Sequence, residues 1–128
     1  MRTVITGGAG FIGANLARAM MNQGMDVVVV DDLSTGSLAN LEDLSVEMHT
    51  GTILDRNLLD NAFRGADSVV HLAALPSVPR SLINPVASHH ANATGTLEVL
   101  EAVRRAGVPH LVVAERAYLE PTRKVNGP

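Results

Sequence analysis

Residues 3–13 read TVITGGAGFIG, and this stretch decides the fold. It opens on β-branched residues, which are typical of a strand, and continues into a glycine-rich turn in which Gly7, Gly10 and Gly13 are spaced three apart. Residues 11–23 then place apolar side chains four positions apart, which is the spacing of one helix face. Gly24 stands where a residue in the left-handed conformation would end that helix. The stretch therefore predicts a strand, a glycine-rich turn and a helix in direct succession.

Four more β-branched runs follow along the chain. The five predicted strands cover residues 3–5, 27–30, 46–49, 68–72 and 110–114. The second run reads VVVV without alternation of apolar and polar residues, which is typical of a parallel strand covered by helices on both faces. Between the later strands the sequence predicts a short helix over residues 37–44 and a helix that begins after an Asp55 cap.

The longest predicted helix lies between the fourth and fifth strands. Asn84 can cap it, Pro85 suits its first position, and Gly107 ends it. We expect its core-facing residues to be Leu97, Leu100 and Val103. A glycine inside a helix costs about 1 kcal/mol relative to alanine. Because Gly95 lies inside this one, we expect the helix backbone to pack closely on the sheet there.

Strands and helices that alternate in this way predict a single α/β domain with a parallel sheet. With right-handed crossovers, the strand order is 3-2-1-4-5, which is the doubly wound order of Rossmann-type folds, and strand five lies at an edge. We expect the domain to cover residues 1–114, truncated after strand five, because residues 115–128 have the composition of a polar tail. An exposed edge strand of this kind favours a homo-oligomer.

Composition and charge exclude several classes of function. The net charge of -3 and the absence of a lysine or arginine cluster give no reason to expect nucleic acid or a membrane surface as a partner. No run is apolar for long enough to span a bilayer and no secretory segment precedes the first strand, so we expect a cytoplasmic protein. Without cysteine, disulfides and thiolate metal ligands are excluded. The adjacent His89 and His90 point about 100° apart on a helix, so no metal site is expected.

The glycine-rich turn is a candidate phosphate site. Gly7 permits the tight turn, Gly10 lets backbone N–H groups approach a pyrophosphate, and Gly13 lets helix and strand pack closely. Asp31 ends the second strand, where a carboxylate accepts hydrogen bonds from both hydroxyls of an adenosine ribose and repels the extra phosphate of NADP. The combination predicts NAD as the cofactor. The alternative is that Asp31 and Asp32 only cap or turn the chain.

These motifs resemble the extended short-chain dehydrogenases/reductases, and among them the NAD-dependent epimerases and dehydratases of nucleotide sugars. The resemblance covers residues 1–114, with TGGAGFIG at 6–13, DDLSTG at 31–36, VHLAA at 70–74, Val78 with Ser81, and Asn92 with GTL at 95–97. It implies that NAD bridges strands one and four, with a nucleotide sugar as a candidate second ligand. The implied cofactor contacts are Gly7, Gly10, Phe11, Ile12, Gly13, Asp31, Asp32, Leu33, Ser34, Thr35, Gly36, Thr52, Ile53, Leu72, Ala73, Ala74 and Leu75.

Three departures from the family pattern qualify what it implies. Thr52 follows the glycine after strand three, where the family has an acidic residue that holds the adenine amino group, and Ala91 stands where sugar epimerases often have a polar residue. After strand five, the family's serines and its tyrosine and lysine four residues apart do not appear, since Tyr118 is followed four residues later by Thr122. Without a tyrosine of lowered pKa there is no evident general base, and no catalytic residue is assigned.

Three functional hypotheses follow. The first is the NAD-binding front part of an epimerase/dehydratase-like protein that performs no turnover. The second is an oligomeric dinucleotide-binding or interaction module that pairs through the edge of strand five. The third is an epimerase half-site completed in trans by a chain that carries the tyrosine and lysine. His71, at the end of a buried strand, is expected to be a hydrogen-bonded core residue rather than an acid/base catalyst.

Overall fold

The computed structural model describes residues 1–73 and 85–114, which form one five-stranded parallel sheet. The strands are β1 (Arg2–Thr6), β2 (Asp26–Asp31), β3 (Glu47–Thr50), β4 (Ser68–His71) and β5 (His110–Val113). Their order is β3-β2-β1-β4-β5, which confirms the predicted order, and every strand end lies within one residue of its prediction. The predicted tail at 115–128 and the Asn84 cap lie outside the described residues.

Within residues 1–73 and 85–114, three α-helices and one 3-10 helix connect the strands. They are α1 (Phe11–Asn22), the 3-10 helix (Leu38–Leu41), α2 (Arg56–Phe63) and α3 (Pro85–Ala106). The left-handed conformations of Gly24 and Gly107 end α1 and α3 as predicted, and Asp55 caps α2 by accepting a hydrogen bond from the Leu58 N–H. The predicted helix over 37–44 is shortened to the single 3-10 turn. The shortening falls at residues 42–44, whereas the start agrees with the prediction: the Ser37 side chain caps the turn by accepting a hydrogen bond from the Ala39 N–H.

Each face of the sheet carries its own core. On one face α2 and α3 pack against β1, β2 and β4, and the largest buried members of this core are Val4, Val28, Val30, Leu59, Phe63, Val69 and Val99. On the other face α1 and the 3-10 helix cover Ile5, Val27, Val29 and Val70. The VVVV run of β2 therefore contributes to both cores, which confirms that it is a strand buried on both faces.

The predicted inner face of α3 is partly wrong. Leu97 and Leu100 are 54% and 44% exposed, whereas Val99 and Ala102 are fully buried. The helix packs through its small residues, since a Cβ atom at Gly95 would lie 2.6 Å from Cδ1 of Ile53. Gly95 therefore admits a side chain of the loop after β3 rather than bringing the backbone onto the sheet. Apolar spacing alone placed Leu97 and Leu100 inward, whereas the contact with Ile53 requires a residue without a side chain, Gly95, on the inner face.

Strand β5 forms one edge of the sheet, as predicted. Val112 is 56% exposed and Val113 is 44% exposed, whereas Leu111 is partly buried against the α2/α3 core. In the ranges 1–73 and 85–114, no helix is both long enough and apolar enough to cross a membrane.

Candidate functional site

The glycine-rich turn joins the carboxyl end of β1 to α1 and is packed too tightly for side chains at three of its glycines, one of which is Gly8, where a Cβ atom would lie 2.8 Å from both methyl groups of Val29. Gly7 is left-handed (φ 76°), and a Cβ atom there would lie 2.8 Å from the backbone nitrogen of Ala73. A Cβ atom at Gly13 would collide with the Gly7 carbonyl and lie 2.6 Å from Cα of Gly8. Gly13 therefore allows the helix to pack on the turn itself, rather than on the strand as predicted.

Gly10 has no such internal reason to be glycine. Its φ of -76° is open to any residue, and the nearest atom to a Cβ placed there is the Gly7 carbonyl oxygen at an ordinary 3.5 Å. The side chain would instead occupy the space outside the turn, beside the first residues of α1. The glycine at this position leaves room for a group that approaches the backbone from outside.

The first turn of α1 is open toward that space. Gly10 is the N-cap residue, no side-chain hydrogen bond caps the helix within the described part of the chain, and no acidic residue lies in the first turn. Phe11 and Ile12 are 80% and 64% exposed. The first N–H groups of a helix have no intrahelical acceptor, and the positive end of the helix dipole favours an anion there. This geometry fits a phosphate group.

The Asp31 carboxylate lies beside the turn and is only 8% exposed. Its Oδ2 accepts a hydrogen bond from the Ala9 N–H at 2.9 Å, and its Oδ1 accepts one from the Leu33 N–H at 2.8 Å. These bonds hold the left-handed Leu33 (φ 64°) and tie the loop after β2 to the glycine-rich turn. A carboxylate has about four acceptor positions, so capacity for ribose hydroxyls remains. Turning the chain and binding a ribose are therefore compatible roles of Asp31.

The end of β4 is joined to β1 by a chain of hydrogen bonds through Thr6 and His71. The Thr6 hydroxyl accepts hydrogen bonds from the backbone N–H groups of Leu72 (3.1 Å) and Ala73 (3.2 Å), and it lies 2.6 Å from Nδ1 of His71. Because the lone pairs of the Thr6 oxygen face two N–H donors, the hydroxyl group itself donates a hydrogen bond to Nδ1 of His71. The imidazole then carries its proton on Nε2, 3.3 Å from the Thr96 hydroxyl oxygen. This geometry is that of the hydrogen-bonded core histidine expected from the sequence.

Burial lowers the pKa of His71, which gives a prediction for the pH dependence of stability. The unfolded chain, with a histidine pKa of about 6.5, binds more protons than the folded chain once the pH falls toward that value. The free energy of unfolding should therefore keep its full value above about pH 6.5. It should decrease as the pH falls from there toward the lowered pKa of His71 in the folded chain. Urea unfolding at intervals between pH 7.5 and 5.5 measures this slope. His71→Asn should flatten it, the exposed His110→Asn control should keep it, and an unchanged slope in His71→Asn would contradict the assignment.

The structure brings most of the predicted site residues to the carboxyl ends of β1, β2 and β4. Gly7 contacts the Leu72–Ala73 backbone, and Asp32 accepts hydrogen bonds from the N–H and hydroxyl of Ser34. The predicted residues Ala74 and Leu75, like Val78 and Ser81 of the family pattern, lie outside the described residues.

Two predicted contacts beyond β3 have internal roles. The Thr52 hydroxyl accepts a hydrogen bond from the Leu54 N–H at 3.1 Å, and the side chain of Ile53 packs against Gly95 and the α2/α3 core. The Ile53 side chain is thus committed to the core. Among residues 1–73 and 85–114, no three histidine or acidic side chains are grouped as metal ligands would be.

Sequence reasoning missed the residues that support the turn. Gly36 lies against Ala9, where a Cβ atom would be 2.7 Å from the Ala9 carbonyl carbon, and the side chain of Asn40 donates a hydrogen bond to the Ala9 carbonyl oxygen. Gly36 was predicted only as a cofactor contact. No motif signalled Asn40, because its partner is 31 residues away in the sequence.

Comparisons with known proteins agree with this geometry. The model of the NAD dependent epimerase/dehydratase family matches residues 3–116. A UDP-glucose 4-epimerase of Streptomyces lividans is 37% identical over 123 residues, which cover 92% of this chain and 37% of the relative. A dTDP-glucose 4,6-dehydratase of Mycobacterium tuberculosis is 39% identical over 125 residues, which cover 92% of this chain and 38% of the relative.

Solved structures give the same result. A UDP-glucose 4-epimerase of Stenotrophomonas maltophila with bound NAD and formylated UDP-arabinopyranose superposes with a TM-score of 0.84 at 31% identity, covering 91% of this chain and 37% of that one. The Thermus thermophilus UDP-glucose 4-epimerase in complex with NAD gives 0.78 at 37% identity, covering 87% and 36%. The chain spans little more than a third of the length of these relatives. From the family match and the shared sheet, the chain belongs to the NAD dependent epimerase/dehydratase family.

Proposed function

We propose that this chain binds NAD and forms the cofactor-binding portion of an epimerase/dehydratase-like protein of nucleotide sugars. The observation that carries the proposal is Gly10, a glycine for which the surrounding chain supplies no steric reason and which borders an uncapped helix N-terminus. The N–H groups of Phe11 and Ile12 would donate to the pyrophosphate. Membership of an NAD-dependent family supports the choice of ligand.

The remaining contacts follow from the positions of the site residues. Asp31 would accept hydrogen bonds from the adenosine ribose with its remaining lone pairs. Residues 32–36 would line the ribose side of the site, and Thr52 with the backbone of Ile53 would line the adenine side. The backbone of Leu72 and Ala73, which lies against Gly7, would line the middle of the cofactor, followed by Ala74 and Leu75. A carboxylate beside the ribose favours NAD over NADP.

Calorimetric titration with NAD, NADP and UDP-glucose tests the proposal. We expect saturable binding of NAD and weaker binding of NADP. Undetectable NAD binding would overturn the proposed function even if the fold is intact.

We also propose that this chain alone performs no turnover, because no tyrosine-lysine pair at the family's spacing follows β5. Conversion of UDP-glucose by the purified chain with NAD would contradict this part of the proposal. Turnover that appears only when a second polypeptide is added would favour the alternative in which another chain supplies the tyrosine and the lysine.

Self-association through β5 is a second candidate function, favoured by the exposure of Val112 and Val113 on an edge strand. An edge strand presents unpaired backbone N–H and C=O groups to which a second copy can add a strand. Such pairing would make the chain an oligomeric dinucleotide-binding or interaction module.

Lysine substitution at this edge should weaken association. Val113→Lys would place two ammonium groups in one symmetric edge-to-edge interface, and like charges in an interface cost several kcal/mol, so the dissociation constant should rise at least about tenfold. Sedimentation equilibrium at several concentrations measures it. Leu54→Lys is the control, because Leu54 is a comparably exposed apolar residue (52%) away from β5. A parent chain that is monomeric at all concentrations would exclude this function.

A further inference from the structure

The backbone of Ala9, in the middle of the glycine-rich turn, is held through both of its polar groups. Its N–H donates to Oδ2 of Asp31 at 2.9 Å. Its carbonyl oxygen accepts two hydrogen bonds, one from the Ser37 N–H at 3.0 Å and one from the Asn40 side-chain amide at 2.8 Å. Ala9 itself is fully buried, so these protein groups take the place of water.

Asn40 lies in an element that is anchored to the core. It lies in the 3-10 helix Leu38–Leu41, whose last residue, Leu41, is 4% exposed within the core on the α1 face. The Asn40 N–H donates to the Ser37 carbonyl at 3.0 Å, which fixes its backbone relative to the other donor to Ala9. The segment also touches the turn directly, since Gly36 leaves no room for a Cβ atom against Ala9.

The orientation of the Ala9 carbonyl matters because it shares one rigid peptide plane with the Gly10 N–H. With both lone pairs of the oxygen engaged, the plane has one orientation, and the Gly10 N–H points inward to the Gly7 carbonyl at 3.3 Å. The same orientation sets Gly10 as the N-cap of α1 and keeps the negative end of the Ala9 carbonyl directed at the 3-10 helix. The N–H groups of the first turn are then aligned in advance for an anion.

We propose that Asn40 is a positioning residue for the dinucleotide's phosphates, acting through the Ala9–Gly10 peptide without contact to the cofactor. The inference rests on the proposed NAD site and adds to it a determinant that lies outside the glycine motif. It also links the two halves of the site, because Ala9 is bonded through its N–H to the carboxylate proposed to hold the ribose and through its carbonyl to Asn40.

The test compares a ligand that carries the phosphates with one that lacks them. In NMR titrations of the parent and of Asn40→Ala, the dissociation constants of NAD and ADP should rise about 5- to 10-fold, as expected for the loss of one hydrogen bond, whereas that of adenosine should stay unchanged. Asn40→Asp places a hydrogen-bond acceptor against the Ala9 carbonyl oxygen and should raise the dissociation constants of NAD and ADP at least as much as Asn40→Ala does. It also supplies the result if Asn40→Ala does not fold. The exposed Asn57→Ala on α2 is the matched control and should bind like the parent.

Two outcomes would overturn the inference. In the first, folded Asn40→Ala and Asn40→Asp proteins bind NAD as tightly as the parent. In the second, the dissociation constants of adenosine and ADP rise by the same factor, which would indicate a general loosening of the fold. Failure of the parent itself to bind NAD would overturn the proposed function instead, so the two failures are distinguishable.

Discussion

Gly10→Val is expected to raise the dissociation constant for NAD at least about 100-fold, the equivalent of two lost hydrogen bonds to a charged group. The reason is steric. The valine side chain would leave the turn almost undisturbed, since its Cβ meets the nearest atom at 3.5 Å, and would project into the space where a pyrophosphate approaches the α1 N-terminus. The cost to folding should be limited to about 1 kcal/mol for a poorer N-cap residue. Calorimetry measures the affinity and urea unfolding the stability.

Gly24→Ala provides the matched control for this experiment. Gly24 is left-handed (φ 82°) with no atom within 4 Å of a built Cβ, so alanine there should also cost about 1 kcal/mol in stability. It lies at the far end of α1 and should leave NAD affinity unchanged. Parent-like affinity in Gly10→Val, or equal loss of affinity in both variants, would remove the support that Gly10 gives to the proposed site.

Asp31→Asn should produce the second large effect, a change in the preference for NAD over NADP. The amide no longer repels the additional phosphate of NADP, so the ratio of the NADP and NAD dissociation constants should fall toward one. The affinity for NAD should itself fall about 10-fold or more, since one of the Ala9 and Leu33 N–H groups would face an NH2 group in place of a carboxylate oxygen.

The ratio distinguishes a role in recognition from a role in folding. If the substitution only damages the turn, the affinities for NAD and NADP should fall by the same factor, and the ratio of their dissociation constants should stay as in the parent. That result would contradict a ribose-binding role of Asp31. Asp26→Asn is the control: Asp26 is exposed at the opposite end of β2, away from the glycine-rich turn. We expect it to keep the parent's ratio.

Local patterns in the sequence predicted the framework of this protein well. The β-branched runs located all five strands to within one residue, and the glycine spacing located the turn that begins α1. These features follow from backbone preferences and side-chain periodicity over a few neighbouring residues, and right-handed crossovers then leave one strand order. The position of Asp31 at the end of β2 was likewise visible, because it is set by the end of the VVVV run.

The features that only the tertiary structure decided all join distant parts of the chain. The inner face of α3 depends on its contact with Ile53 and α2, so the small Gly95 and Ala102 are placed inward and the larger Leu97 outward. The proton position on His71 depends on Thr6, 65 residues earlier, and the orientation of the Ala9 peptide depends on Asn40. No local pattern encodes such pairs, since each is satisfied only after the sheet has brought the strand ends together. The sequence by itself thus determined where the glycine-rich turn of the proposed phosphate site lies, and packing between distant segments determined how that turn is held.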